Sequence, residues 1–144
     1  MRFALTFTLC LVAAASGCAI NRERASVSPK VDLAGLRTYH VVRFPPDERG
    51  IEQVIAAALR KRGLEATAGN EGDAPPGVQV IVTYQDKWRW DMTMYMLELR
   101  IYFREPQTGR LLAMGSSYHT SVSRITPEEM ASEVLTNIFK GGAK

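Results

Sequence analysis

The stretch KWRWDMTMYMLELRIYF, Lys87–Phe103, carries the reading of the fold. Taken at a period of two, one register gives Thr93, Tyr95, Leu97, Leu99, Ile101 and Phe103, the pattern of a strand with one buried face. The other register gives Met92, Met94 and Met96, then Glu98, Arg100, Tyr102 and Arg104. Trp88 and Trp90 precede it in the same phase. One strand is thus apolar on both faces at one end and on a single face at the other.

Working outward, the neighbouring segments supply partners for this strand. Leu36–Phe44 reads as a strand stopped by Pro45-Pro46. Ile51, Val54, Ile55, Ala58 and Leu59 recur at helical spacing, and Gly63 stands where a helix-terminating glycine belongs. Leu64–Thr67 is a short strand candidate, and Ala68–Gly77 (AGNEGDAPPG) is a loop by composition. Val78–Gln85 reads as a strand and Met92–Arg104 as another. After the turn Glu105–Arg110, a strand returns from Leu111. Thr126, Pro127 and Glu129 form the N-cap, first position and capping-box acid of a last helix, with Ile125 and Met130 as its hydrophobic staple. That helix carries its apolar stripe on Met130, Val134, Leu135 and Ile138 and is expected to end at Gly141-Gly142.

The order is β-α-(β)-β-β-β-α. The last three strands are consecutive and closely spaced, which predicts an antiparallel meander. Two amphipathic helices, each with one stripe to bury, are expected to cover one face of it. The fold class is therefore α+β, a two-layer sandwich. A strand over Met92–Arg104 spans about 43 Å at roughly 3.3 Å per residue. A helix of about 12 residues spans only about 18 Å. The helices cannot cover the whole strand. Met92, Met94 and Met96 are expected to point away from them and, with Trp88 and Trp90, to form an apolar patch on the open face.

The N-terminus gives an address. Met1-Arg2 is a short positive start, Phe3–Ala15 is almost wholly apolar, and Ala15-Ser16-Gly17 leads into Cys18. This is the layout of a secretory signal, and the apolar run falls short of the roughly 20 residues of a membrane span. Ser16-Gly17-Cys18 resembles the bacterial lipoprotein signal, with Ala15 where leucine is usual. The resemblance implies cleavage after residue 17, acylation of Cys18 and an anchor in the envelope. Ala19, in place of a retention aspartate, implies the outer membrane, facing the periplasm. The expected organisation is 1–17 signal peptide, 18–30 flexible tether and 31–144 a single domain. Cys10 leaves with the signal, so no disulfide is expected and stability falls to the core.

The chain has 18 Lys and Arg against 15 Asp and Glu. Loss of Arg2 with the signal leaves 17 against 15, scattered except for Arg60-Lys61-Arg62 at a helix end, where cations suit the dipole. Nucleic acid is not an expected partner. Catalytic constellations are equally sparse. His40 and His119 lie on separate strands with no third metal ligand at useful spacing, so no metal or other cofactor is expected. Ser116-Ser117 lacks a nucleophile elbow. Asp86 and Asp91 flank the Trp pair and read as turn-bounding residues before an acid/base pair. A small periplasmic hydrolase is the third-ranked reading.

The segments Asp32–Val42, Ile51–Ala66, Val78–Met92 and Thr108–Tyr118 together resemble small bacterial lipoproteins of uncharacterised function. The shared pattern is a strand, a helix ending in a Lys/Arg-Gly turn, and a V-x-V-x-Y strand, here Val80–Tyr84. In architecture alone, helices on one face of a meander also resemble the lipopolysaccharide-assembly lipoprotein. The expectation is a non-enzymatic, membrane-anchored lipoprotein with a protein partner in envelope maintenance or assembly. Its candidate interaction patch is Trp88, Trp90, Met92, Met94 and Met96. A blander reading has the tether, the Ala68–Gly77 loop or a bend in the strand cover that patch, and the alternative function is an amphiphile-binding lipoprotein.

Overall fold

A computed structural model describes residues 21–142. The segment read as a signal peptide, with Cys18, lies outside the described residues. The architecture is α+β: one open, six-stranded mixed sheet with two helices packed on one face. The strands are β1 (Arg22–Val27), β2 (Thr38–Val42), β3 (Glu65–Gly69), β4 (Val80–Asp91), β5 (Thr93–Arg104) and β6 (Leu111–Tyr118). The helices are α1 (Ile51–Lys61) and α2 (Pro127–Gly142). The spatial order is β1-β6-β5-β4-β2-β3.

The meander expectation holds for β4, β5 and β6, which are antiparallel neighbours. It does not hold for the whole sheet, because β2 runs parallel to both β3 and β4. The cause is α1, which carries the chain back to the starting end of β2, so that β3 enters in the same direction. The segment read as a tether also needs correction. Residues 22–27 form the edge strand β1, antiparallel to β6. On β1, Glu23 turns towards the helices and accepts a bond from Asn137 Nδ2 at 2.7 Å. Polar residues fill an edge strand as readily as a linker, which is why composition concealed it.

One side of the sheet presents Tyr39, Val41, Val80, Val82, Tyr84, Leu99, Ile101 and Phe103 to the helices. Ile51, Ile55 and Leu59 of α1 and Met130, Val134, Leu135 and Ile138 of α2 close over them, all fully buried. Gly115 of β6 makes room for this layer: a Cβ there would stand 2.8 Å from Ile138 Cγ1. The α2 start is as the sequence predicts. The Glu129 carboxylate accepts from the Thr126 N–H at 2.8 Å, and Thr126 Oγ1 accepts from the Glu129 N–H at 3.2 Å. The helix does not stop before the glycines but continues through Gly142, which packs closely on Leu33.

The α1 start uses a device the sequence reading missed. Gly50 takes a left-handed φ of 70° and offers no side-chain cap. Asp47, buried in the preceding loop, instead accepts from the N–H groups of Arg49 (2.6 Å) and Ile51 (2.7 Å) and from Tyr84 Oη (2.7 Å). Burial opposes ionisation of Asp47, but these donors outweigh it and hold its carboxyl below the usual range.

Candidate functional site

β4 and β5 are longer than the sheet they belong to. β2 pairs with β4 only over Val80–Val82, and β6 pairs with β5 only from Glu98 onward. From Lys87 and Glu98 outward the two strands form a lone ribbon, closed at Met92. The strand predicted to stop at Gln85 therefore runs on to Asp91, and the reversal shrinks to a tight turn. Trp88 and Trp90 are ladder positions of the ribbon.

A bulge sets which way the methionines face. Lys87 pairs with Glu98 but Trp88 pairs with Met96, so Leu97 is an extra residue on β5. The Leu97 carbonyl instead accepts from the His119 N–H at 2.9 Å, just past the end of β6. One extra residue reverses the alternation. Beyond the bulge the even-numbered residues of β5 share the helix side with Leu99, Ile101 and Phe103. The expectation that Met92, Met94 and Met96 occupy the open face is thus overturned for the two ladder residues, and Met96 is a core residue at 1% exposure. Their pairing places Trp88 beside Met96 and Trp90 beside Met94, all four on the helix side.

The five candidates then separate by distance from the helix layer. Trp88 is half-buried against the core. Its Nε1 donates to Asp86 at 2.6 Å, and the Arg49 guanidinium sits 4.2 Å from its ring. Further out, Trp90 is 72% exposed, Met94 44% and Met92 88%. Met92 also holds a left-handed φ of 59°, a conformation that suits glycine or asparagine. Among the described residues, Val122 is the one other large apolar side chain left exposed. It belongs to the short turn Ser121–Ser123. Arg124, just after that turn, bonds Thr93 Oγ1 at 2.7 Å and the Asp91 carbonyl at 3.3 Å, and its guanidinium lies 4.9 Å from the Tyr95 ring. The ribbon is therefore braced from its side. Its exposed apolar residues sit on a held platform at one end of the molecule.

The polar groups weighed for catalysis are distributed otherwise. His40 bonds Thr67 Oγ1 (2.7 Å) and the Asn70 carbonyl (2.9 Å), while His119 bonds the Ser123 carbonyl (2.9 Å) and Glu133 (3.0 Å). Each is absorbed at its own end of the sheet, and they do not meet. Asp86 receives Trp88, and Asp91 lies 3.8 Å from Arg124. Ser117 and His119 do share a partner that the sequence did not reveal, Glu133 of α2. Ser117 Oγ donates to Glu133 Oε1 at 2.9 Å. The carboxylate stands between the hydroxyl and the imidazole, whereas a nucleophilic serine needs its base in direct contact. The trio ties α2 to the end of β6.

No protein-family model matches the chain, and no curated protein matches it in sequence. Solved structures do match. The fold is similar to that of PelC. The PelC dodecamer from Paraburkholderia phytofirmans aligns with a TM-score of 0.58 at 15% identity, over 85% of this chain and 96% of that one. A point variant of the same dodecamer aligns at 0.59 and 14% identity, over 82% and 96%. At such identity the likeness to PelC is one of fold. Among the described residues, no helix is long and apolar enough to cross a membrane.

Proposed function

We propose that this protein is a non-enzymatic lipoprotein, anchored through Cys18 in the outer membrane and facing the periplasm, that acts by protein contact in envelope maintenance or assembly. Its contact surface is the outer end of the β4–β5 ribbon. The observation that carries this reading is Met92, which is 88% exposed and in a left-handed conformation at the tip. Both features work against the stability of the isolated fold, and such strain concentrates where a surface is used. Trp90 and Met94 stand beside it, a rigid aromatic anchor with an adaptable thioether. The similarity to PelC adds support, since that protein assembles as a dodecamer on this fold. A partner can accordingly be a second copy as well as another envelope protein.

A photo-crosslinker placed at position 90 in intact cells tests the reading. Discrete protein adducts, lost when Met92 and Met94 are both changed to Ser, are the expected result. Absence of any protein adduct, or adducts to lipid alone, would remove the protein-contact role and leave the amphiphile-binding alternative.

A further inference from the structure

The helix-free side of the sheet differs in character from the ribbon tip. Cross-strand pairing there aligns Arg22 of β1 with Tyr118 and Glu98, and Arg24 with Ser116 and Arg100. These six residues, with Met114, line a shallow depression of about 460 Å³. Lys87 continues the first row, opposite Glu98. Glu98 is the one carboxylate in these rows. Burial opposes its ionisation, but Arg100 (2.7 Å) and Lys87 (3.0 Å) outweigh this and hold it below the usual carboxylate range. Its charge is therefore already matched. Arg22 and Arg24 are exposed and, among the described residues, have no ion-pair partner. The face carries a surplus of guanidinium groups, which favour planar, bidentate contact with phosphate.

Its position in the chain says what it meets. Arg22 is four residues on from Cys18, a reach of at most about 14 Å. If Cys18 carries the lipid, β1 begins within that distance of the bilayer surface, and the surface it shares with β6 and β5 is the cationic one. We propose that the helix-free face, through Arg22 and Arg24, rests on the phosphate headgroups of anionic lipids around the anchor. This inference rests on the Cys18 reading above. It gives the domain a fixed orientation: the cationic sheet face lies against lipid, and Trp90 and Met94, on the opposite side, look away from it towards a partner. A cation held near an anionic surface adds on the order of fivefold to the partition, and a basic patch is the usual complement to an acyl anchor.

The experiment uses the lipidated mature protein in phosphatidylcholine vesicles, with or without about 30 mol% phosphatidylglycerol (roughly the charge density at which surface potentials matter). A fluorescent label is placed through Gln85→Cys on the helix-free face, opposite Arg100, or through Glu128→Cys on α2. Both positions are exposed. With phosphatidylglycerol, the label at position 85 should become severalfold less accessible to a water-soluble quencher while that at 128 does not change. The variant Arg22→Gln with Arg24→Gln should lose this protection yet stay with the vesicles. Equal accessibility in both lipids, protection at 128, or quenching of Trp90 by brominated acyl chains overturns the proposal and leaves the anchor intact. Protein that carries no acyl group at Cys18 and leaves the vesicle fraction overturns the anchor and this orientation together.

Discussion

Two residues separate fold stability from contact. Met92 sits at φ 59° with its side chain in water. Met92→Gly should raise stability by roughly 0.5–1 kcal/mol by relieving the left-handed backbone, while weakening contact at the tip. Urea midpoints at constant slope, alongside crosslinking yield from position 90, read both effects. A loss of stability would show that the methionine packs on something. Asp47 is the opposite case, a buried carboxylate with three donors. Asp47→Ala should cost about 2–3 kcal/mol, the loss of a helix cap together with charge-assisted bonds. Because its carboxyl titrates below the usual range when folded, its contribution is fully present above about pH 4 and fades as pH falls through the folded value. Denaturation of parent and Asp47→Ala protein should therefore converge in acid. A difference that persists undiminished at about pH 2, below the usual carboxylate range, would contradict the ionised-cap reading.

At the scale of elements, the ribbon and the helix layer make different demands on their residues. The two tryptophans, alike in sequence, should behave differently. Trp90→Ala should change stability by under about 0.5 kcal/mol. Trp88→Ala should cost roughly 1–3 kcal/mol, because Trp88 is half-buried and held by Asp86 and Arg49. Acrylamide quenching should reach the fluorescence left in Trp88→Ala far better than that left in Trp90→Ala; equal quenching would refute the division. In the layer beneath α2, a Cβ at Gly115 would stand 2.8 Å from Ile138 Cγ1, closer than side chains approach, and 3.0 Å from Val134 Cγ1. Gly115→Val should cost at least about 1–3 kcal/mol by overpacking. Thermal unfolding that is unchanged would mean that α2 rides higher on the sheet than described.

For the whole molecule, the two proposed contacts fall on different surfaces. Cys18→Ser should move the protein from the membrane to the soluble fraction, with no change in the far-ultraviolet dichroism of the folded domain, since Cys18 precedes β1. Retention in the membrane would place the anchor elsewhere. The core is shared by both helices and all four central strands, so contact at either surface need not alter it. The polar trio of Ser117, His119 and Glu133 binds α2 to the sheet near the ribbon's base. That hydrogen-bonded trio and the bulge at Leu97 meet at one residue, His119, whose N–H holds the Leu97 carbonyl.

What the sequence determined by itself is local. The capping box at Thr126, the helical spacing from Ile51, the glycine stop at Gly63 and the buried register of Leu99, Ile101 and Phe103 depend on residues within a turn or a few strand positions of one another. Each was legible because short-range geometry fixes it, and together they dictate an α+β sandwich. The excess length of the long strand over its helices was legible too, from rise per residue alone. Three things were not. Strand β1 carries no apolar alternation, because an edge strand needs only a partner's backbone. The parallel entry of β3 depends on where α1 returns the chain. The face taken by Met94 and Met96 depends on one bulge, and that bulge exists because the Leu97 carbonyl is claimed by His119, 22 residues away. A period-two pattern holds its phase only while the ladder is regular. Tertiary pairing inserted one residue, and with it reversed every side chain of β5 towards the tip.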